Sequence, residues 1–191
     1  MRVVTAILVL VLCSASSIVY ASDLSDKDIT AIMKGKIIVE KSTDSNGVPG
    51  LVAAFSVAST RETIWNAFVD YENFTRIFDG IDKLEVLEQD EKGALVEFWV
   101  DAVLSDLDYT LYRKYDKPGY KLTWKRTAGD LKVIEGGWEI LDSPVDGQYI
   151  VVYSSYVEVG RIVPATLVRW GAMRKAEGMC KRLKKWIADG K

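Results

Sequence analysis

From residue 81 onward the chain abandons helical spacing and alternates apolar and polar residues for almost eighty positions, and this feature constrains the fold most. The alternation divides into runs at 82–89, 93–104, 107–116, 119–127, 131–142 and 147–159. The breaks between them carry turn chemistry: Glu91-Lys92-Gly93, Lys117-Pro118-Gly119, Ala128-Gly129-Asp130 and Ser143 to Gly147. Links this short leave no room for a crossover, so neighbouring strands must run antiparallel. Strands twist with a fixed hand, so a meander of six of them curls and encloses a concave face.

The flanking segments supply what covers that face. Ser25 with Asp28 forms a capping box for a short first helix. Lys36 to Lys41 and Leu51 to Ala58 read as two strands joined through Asn46-Gly47 and Pro49-Gly50. Ser59 with Glu62 is a second capping box, followed by Ile64, Ala67, Phe68 and Tyr71 at helical spacing. That helix is expected to reach about Asp70, with a second short one through Phe78. Pro164 opens a long helix whose apolar stripe is Ala172, Ala176, Met179, Leu183, Trp186 and Ile187. The class is α+β, with a curved antiparallel sheet around a long C-terminal helix. Such a sheet with a helix across its mouth rarely fills with side chains, and mouths of this kind are common ligand sites.

The first residues read as a signal peptide. Arg2 precedes the apolar run Val3 to Leu12, and Val19-Tyr20-Ala21 offers small residues where a signal peptidase cuts. The run is far shorter than the roughly 20 residues of a membrane span. The expected organisation is residues 1–21 as signal peptide and 22–191 as one domain, exported, with the periplasm as its compartment. Losing Arg2 takes the formal net charge from −2 to −3, which argues against a nucleic-acid binder. Cys180 is then the remaining cysteine, read as a buried inert thiol. Eight cations between Arg169 and Lys191 face only Glu177 and Asp189. They are read as a solvated helix face or as a site of transient contact with an anionic membrane surface.

The run Val57-Ala58-Ser59-Thr60-Arg61-Glu62-Thr63-Ile64-Trp65-Asn66-Ala67-Phe68-Val69-Asp70-Tyr71-Glu72-Asn73-Phe74 resembles the first helical segment of START-like proteins, and more narrowly their polyketide cyclase and coenzyme Q-binding branch. Leu122-Thr123-Trp124, Gly136-Gly137-Trp138-Glu139-Ile140, Tyr153 to Val159 and Pro164 follow in the order that branch shows. The likeness spans roughly residues 36–188. It implies the helix-grip fold, in which a sheet of about seven strands grips the C-terminal helix around a cavity. Members bind sterols, phospholipids, quinones, plant hormones or polyketide intermediates, and some are cyclases or aromatases. A fold alone does not decide among these.

The chain contains no histidine, which removes the commonest general base and metal ligand. Triads built on histidine and zinc clusters of Cys and His are thereby excluded, and no phosphate loop or dinucleotide fingerprint is present. No cofactor and no metal are expected. Aromatic supply is the positive indication. Tyr109, Leu111, Arg113 and Tyr115 share a strand face, as do Tyr120, Leu122, Trp124 and Arg126. The ligand-binding candidates are Phe98, Tyr109, Arg113, Trp124, Trp138 and Tyr153. Each is read either as sheet core or as cavity lining, with the tyrosine hydroxyls orienting a mostly apolar ligand. An inward Arg113 or Arg126 needs a partner, supplied by Glu135, Glu139 or a ligand's acidic or carbonyl group. The leading expectation is a carrier of a hydrophobic small molecule such as a lipid, quinone or polycyclic compound. A cyclase or dehydratase acting in the same cavity is the alternative, and an envelope interaction module without ligand is a third.

Overall fold

The computed structural model describes residues 24–102, 105–159 and 165–190; the signal-peptide reading and Pro164 lie outside them. The first helix, α1 (Asp26–Met33), precedes the hairpin of β1 (Ile38–Thr43) and β2 (Pro49–Ala58). Then come α2 (Arg61–Val69), a 3-10 turn at Tyr71–Asn73 and the single turn α3 (Phe74–Ile77). The meander follows as β3 (Ile81–Gln89), β4 (Gly93–Ala102), β5 (Ser105–Asp116), β6 (Lys121–Gly129), β7 (Val133–Asp142) and β8 (Gln148–Glu158). The chain closes on α4 (Ala165–Ala188).

All eight strands form one antiparallel sheet in the order β1-β2-β8-β7-β6-β5-β4-β3. The eight strands are the hairpin pair and the six runs read along the chain, one more than the about seven that the resemblance implied; in the turn at 44–48 the chain folds β1 back on β2. There the Asp44 carboxylate accepts from the backbone N–H of Asn46 and Val48, and Gly47 takes the positive φ of 83° the turn requires. Bulges between Ile81 and Lys83, Val86 and Glu88, and Thr110 and Leu111 add bend to the strands. The sheet is curved but open, with β1 and β3 as its edges. Between those edges sit α3, packed on β3, and α4, packed on β1, β2, α2 and α3.

The capping box at Ser25 forms as read, with the Ser25 hydroxyl on the Asp28 N–H and the Asp28 carboxylate on the Ser25 N–H. The second cap does not. The N-cap of α2 is Thr60, not Ser59, and the Thr60 hydroxyl accepts from the Thr63 N–H at 3.1 Å. β2 runs to Ala58 and Ser59 lies beyond its end, so the helix starts one residue later.

The two faces of the sheet have separate cores. On the convex side α1 buries Ile32 against Ala54, Ile150, Val152 and Tyr156. On the concave side Phe55, Val57, Val96, Leu122, Ile140 and Val151 meet Ile64, Trp65 and Phe68 of α2 and Cys180, Leu183 and Ile187 of α4. β8 is therefore apolar on both faces over Ile150, Val151 and Val152. Burial pushes the Cys180 thiol up to about 12, which leaves it protonated and inert.

Candidate functional site

The concave face is not filled evenly. At one end Phe55, Val57, Leu122, Ile140 and Val151 are wholly buried. At the other end, toward the β4–β5 hairpin, the inward residues Val100, Leu107, Tyr109, Tyr153 and Val157 keep accessible surface. Register places this set together: Phe98 faces Tyr109, Val100 faces Leu107, and Ile134 faces Val157. Tyr109 and Tyr153 are deep nonetheless, since burial raises both phenols, that of Tyr153 to about 12. The concave face is thus less tightly packed at this end, and its two phenols are neutral at any physiological pH.

Five of the six candidate residues form a continuous aromatic wall with side chains from the α2–α3 segment. Tyr109 stacks on Phe98 at 5.5 Å between ring centroids. Phe98 meets Phe74 at 6.0 Å, and Phe74 meets Phe78 at 4.2 Å. Phe78 reaches Trp138 at 6.3 Å, and Trp138 contacts Tyr153 at 4.6 Å and stacks on Phe68 at 5.0 Å. Trp124 joins the far end, 5.8 Å from Tyr153. Its indole crosses β7 at Gly136, where an added Cβ would lie 2.8 Å from the Trp124 Cζ2. The glycine of the Gly136-Gly137-Trp138 run is thus the gap through which Trp124 enters the wall.

Arg113, the sixth, is brought beside this wall but sealed from water, at 2% exposure. Its Nη2 donates to the Phe68 carbonyl at 3.0 Å. Its guanidinium lies 5.0 Å from the Tyr71 and Phe74 ring centroids. The carboxylates expected to partner it do not. Glu135 and Glu139 alternate with Gly136 and Trp138, so they occupy the opposite face, where they meet Lys125 at 3.6 Å and Lys121 at 3.7 Å. Arg113 works as a strut instead, tying the end of α2 to the sheet. Arg126 does face inward, opposite Leu111, and its Nη2 donates to the Gly129 carbonyl at 2.7 Å.

The sequence reading passed over Tyr71, Phe74 and Phe78 as wall residues. Their spacing of three and four was visible as a helical stripe. What it covers, however, depends on where the turn at 71–73 aims α3. The Tyr71 hydroxyl is 2.7 Å from that of Tyr115, which pins the segment to β5. On the other side, Arg182 of α4 donates from Nε to the Ile77 carbonyl at 3.2 Å and pairs with Asp79 at 2.7 Å. These contacts close the gap between the two sheet edges.

Residues 57–184, more than half of the chain, match the family described as Polyketide cyclase / dehydrase and lipid transport. The chain belongs to this family. Solved structures agree on the fold. The STAR-related lipid transfer protein of Xanthomonas axonopodis superposes with a TM-score of 0.67 at 14% identity, covering 80% of this chain and 93% of that one. Human STARD10 gives 0.63 at 12% identity, covering 86% and 80%. The Zhui aromatase/cyclase of a Streptomyces species gives 0.52 at 14% identity, covering 81% and 91%. A search of curated proteins by sequence finds no match. Membership of this START-like, polyketide cyclase-like family and the helix-grip arrangement of sheet and α4 are therefore established, as the resemblance implied.

Proposed function

We propose that this family member is an exported carrier that holds a hydrophobic small molecule in a cavity between the sheet and α4. The observation that carries the reading is the aromatic wall of the concave face, Tyr109 on Phe98 and Trp138 and Trp124 on Tyr153, whose two tyrosines keep accessible surface. Aromatic walls with a few hydroxyls suit a mostly apolar ligand that needs orientation at one or two points. Paired tyrosine hydroxyls meet other hydroxyls, Tyr71 with Tyr115 and Tyr156 with Ser42. Such pairs hold structure in place rather than moving protons through a carboxylate. Phe98, Trp124 and Trp138 are assigned to the wall of the site, Tyr109 and Tyr153 to its polar points, and Arg113 to its support.

Loading at a membrane fits the outer face of α4. Arg174, Lys175, Lys181 and Lys185 are exposed there, and each cation near an anionic lipid surface adds on the order of 1 kcal/mol. Export rests on Arg2, the apolar run that follows it and Val19-Tyr20-Ala21. Intact mass of the protein from its own host's envelope is expected to start the mature chain at Ser22; a chain retaining Met1 to Ala21 would refute processing.

The ligand reading is tested on the same preparation. Small molecules extracted from the mature protein are expected to contain one enriched apolar compound. Trp124→Ala and Tyr153→Ala are expected to lose most of it while still unfolding cooperatively. Retention unchanged in both variants would remove these residues from the site. An empty extract from folded protein would turn the reading toward an enzyme that releases its product, the role named for the Zhui aromatase/cyclase.

A further inference from the structure

Arg126 extends the functional reading to the chemistry of the ligand's polar end. It projects from the concave face of β6, opposite Leu111. One of its terminal nitrogens, Nη2, is engaged, on the carbonyl of Gly129 at 2.7 Å. Gly129 is itself the register partner of Tyr109, so the guanidinium reaches the backbone beside Tyr109 on the same face. Its Nε is buried and has no hydrogen-bond partner, and no carboxylate among the described residues lies within 4.0 Å of it. The residue is half-buried rather than sealed. The contrast with Arg113 is instructive. That guanidinium is closed off behind Phe68, Tyr71 and Phe74, so it is not free to greet a ligand.

A guanidinium is always charged and presents its donors in a planar fork that matches an acidic group. Holding one without a counter-ion beside an apolar inward surface is costly unless something acidic completes it. Past Arg126 the inward surface becomes neutral and apolar, through Tyr109, Phe98 and on to Trp138 and Tyr153. We infer that the ligand is an amphiphile whose single acidic group is held by Arg126 at the rim while its apolar body lies along the Tyr109–Phe98 wall. This rests on the proposed carrier function. The shared chemistry is one anionic group on an apolar chain, and a carboxylate or a phosphate monoester would both supply it.

The test uses the mature protein and cis-parinaric acid, whose fluorescence rises on entering an apolar site, beside its uncharged methyl ester. The acid is expected to bind about tenfold tighter than the ester, the scale of one charge-assisted hydrogen bond. Arg126→Gln is expected to erase that preference by weakening the acid alone, and Arg126→Lys to keep much of it. Thermal unfolding confirms that each variant is folded. Displacement of the probe by oleate or by oleoyl lysophosphatidate distinguishes a carboxylate from a phosphate source. Equal binding of acid and ester, or a preference that survives in Arg126→Gln, overturns the inference and leaves the carrier reading standing. Failure of both probes to bind overturns the carrier reading and the inference with it.

Discussion

Replacing Trp138 by Ala is expected to destabilise the protein by about 4 kcal/mol, the largest effect of any truncation in the aromatic wall. Trp138 is 3% exposed and touches three other rings: Phe68 at 5.0 Å, Phe78 at 6.3 Å and Tyr153 at 4.6 Å. These come from α2, the α3 end and β8, so the indole joins both covering helices to the sheet. Its removal takes away apolar burial and leaves a void that rigid neighbours on three sides cannot collapse into. At this chain length a loss of that size lowers the melting temperature by roughly 8–16 °C. Thermal and urea unfolding followed by circular dichroism measure both quantities. A loss under about 1.5 kcal/mol would show that the wall repacks around the gap. Trp138→Phe keeps a ring in the stack and is expected to lose about half as much.

The second large effect is expected at Gly136, from adding rather than removing atoms. A Cβ there would fall far inside contact distance of the Ser154 carbonyl oxygen and 2.8 Å from the Trp124 Cζ2. The first obstacle is backbone of a central strand, paired on both sides, and cannot withdraw cheaply. The second is an indole already fixed against Tyr153 at 5.8 Å. Ordinary overpacking costs 1–3 kcal/mol. Gly136→Val is expected to exceed that range, at about 4 kcal/mol or loss of the folded state. Gly137→Ala makes a useful comparison. Its Cβ would come 2.8 Å from the Leu122 carbonyl oxygen but would not touch Trp124. Should the two variants unfold at the same temperature, the crossing of Trp124 over Gly136 would not be what makes the glycine necessary.

Much of this fold is legible along the chain because its strands are joined by turns that announce themselves. Lys117-Pro118-Gly119 and Ala128-Gly129-Asp130 end their strands within two residues of where β5 and β6 end, and β6 and β7 begin within two residues of the expected starts. Pairing then follows from link length alone. The alternation of Tyr109, Leu111, Arg113 and Tyr115 likewise reveals that these four share a face. It does not say whether that face looks inward. β7 illustrates the difficulty, because Gly136 and Trp138 face inward while Glu135, buried, and Glu139, half-buried, flank them on the outer face. Burial on both faces blurs the polar alternation that would mark one of them as core.

The identity of the elements, the antiparallel pairing of strands joined by short turns and the aromatic supply were therefore determined by the sequence by itself, since propensity, periodicity and turn chemistry are local. Three things were decided only by tertiary structure. The open sheet is closed by α3 and α4 rather than by its own edges. The two inward arginines differ in kind: Arg113 is a sealed strut and Arg126 a half-open cation. And one end of the concave face is packed solid while the other keeps accessible surface at Leu107, Tyr109, Tyr153 and Val157. Each depends on which residues distant in the chain arrive at the same place, Phe68 over Arg113 or Tyr153 beside Trp138. That is set by the bend of the whole sheet and the angle of the helices across it, quantities no single segment carries.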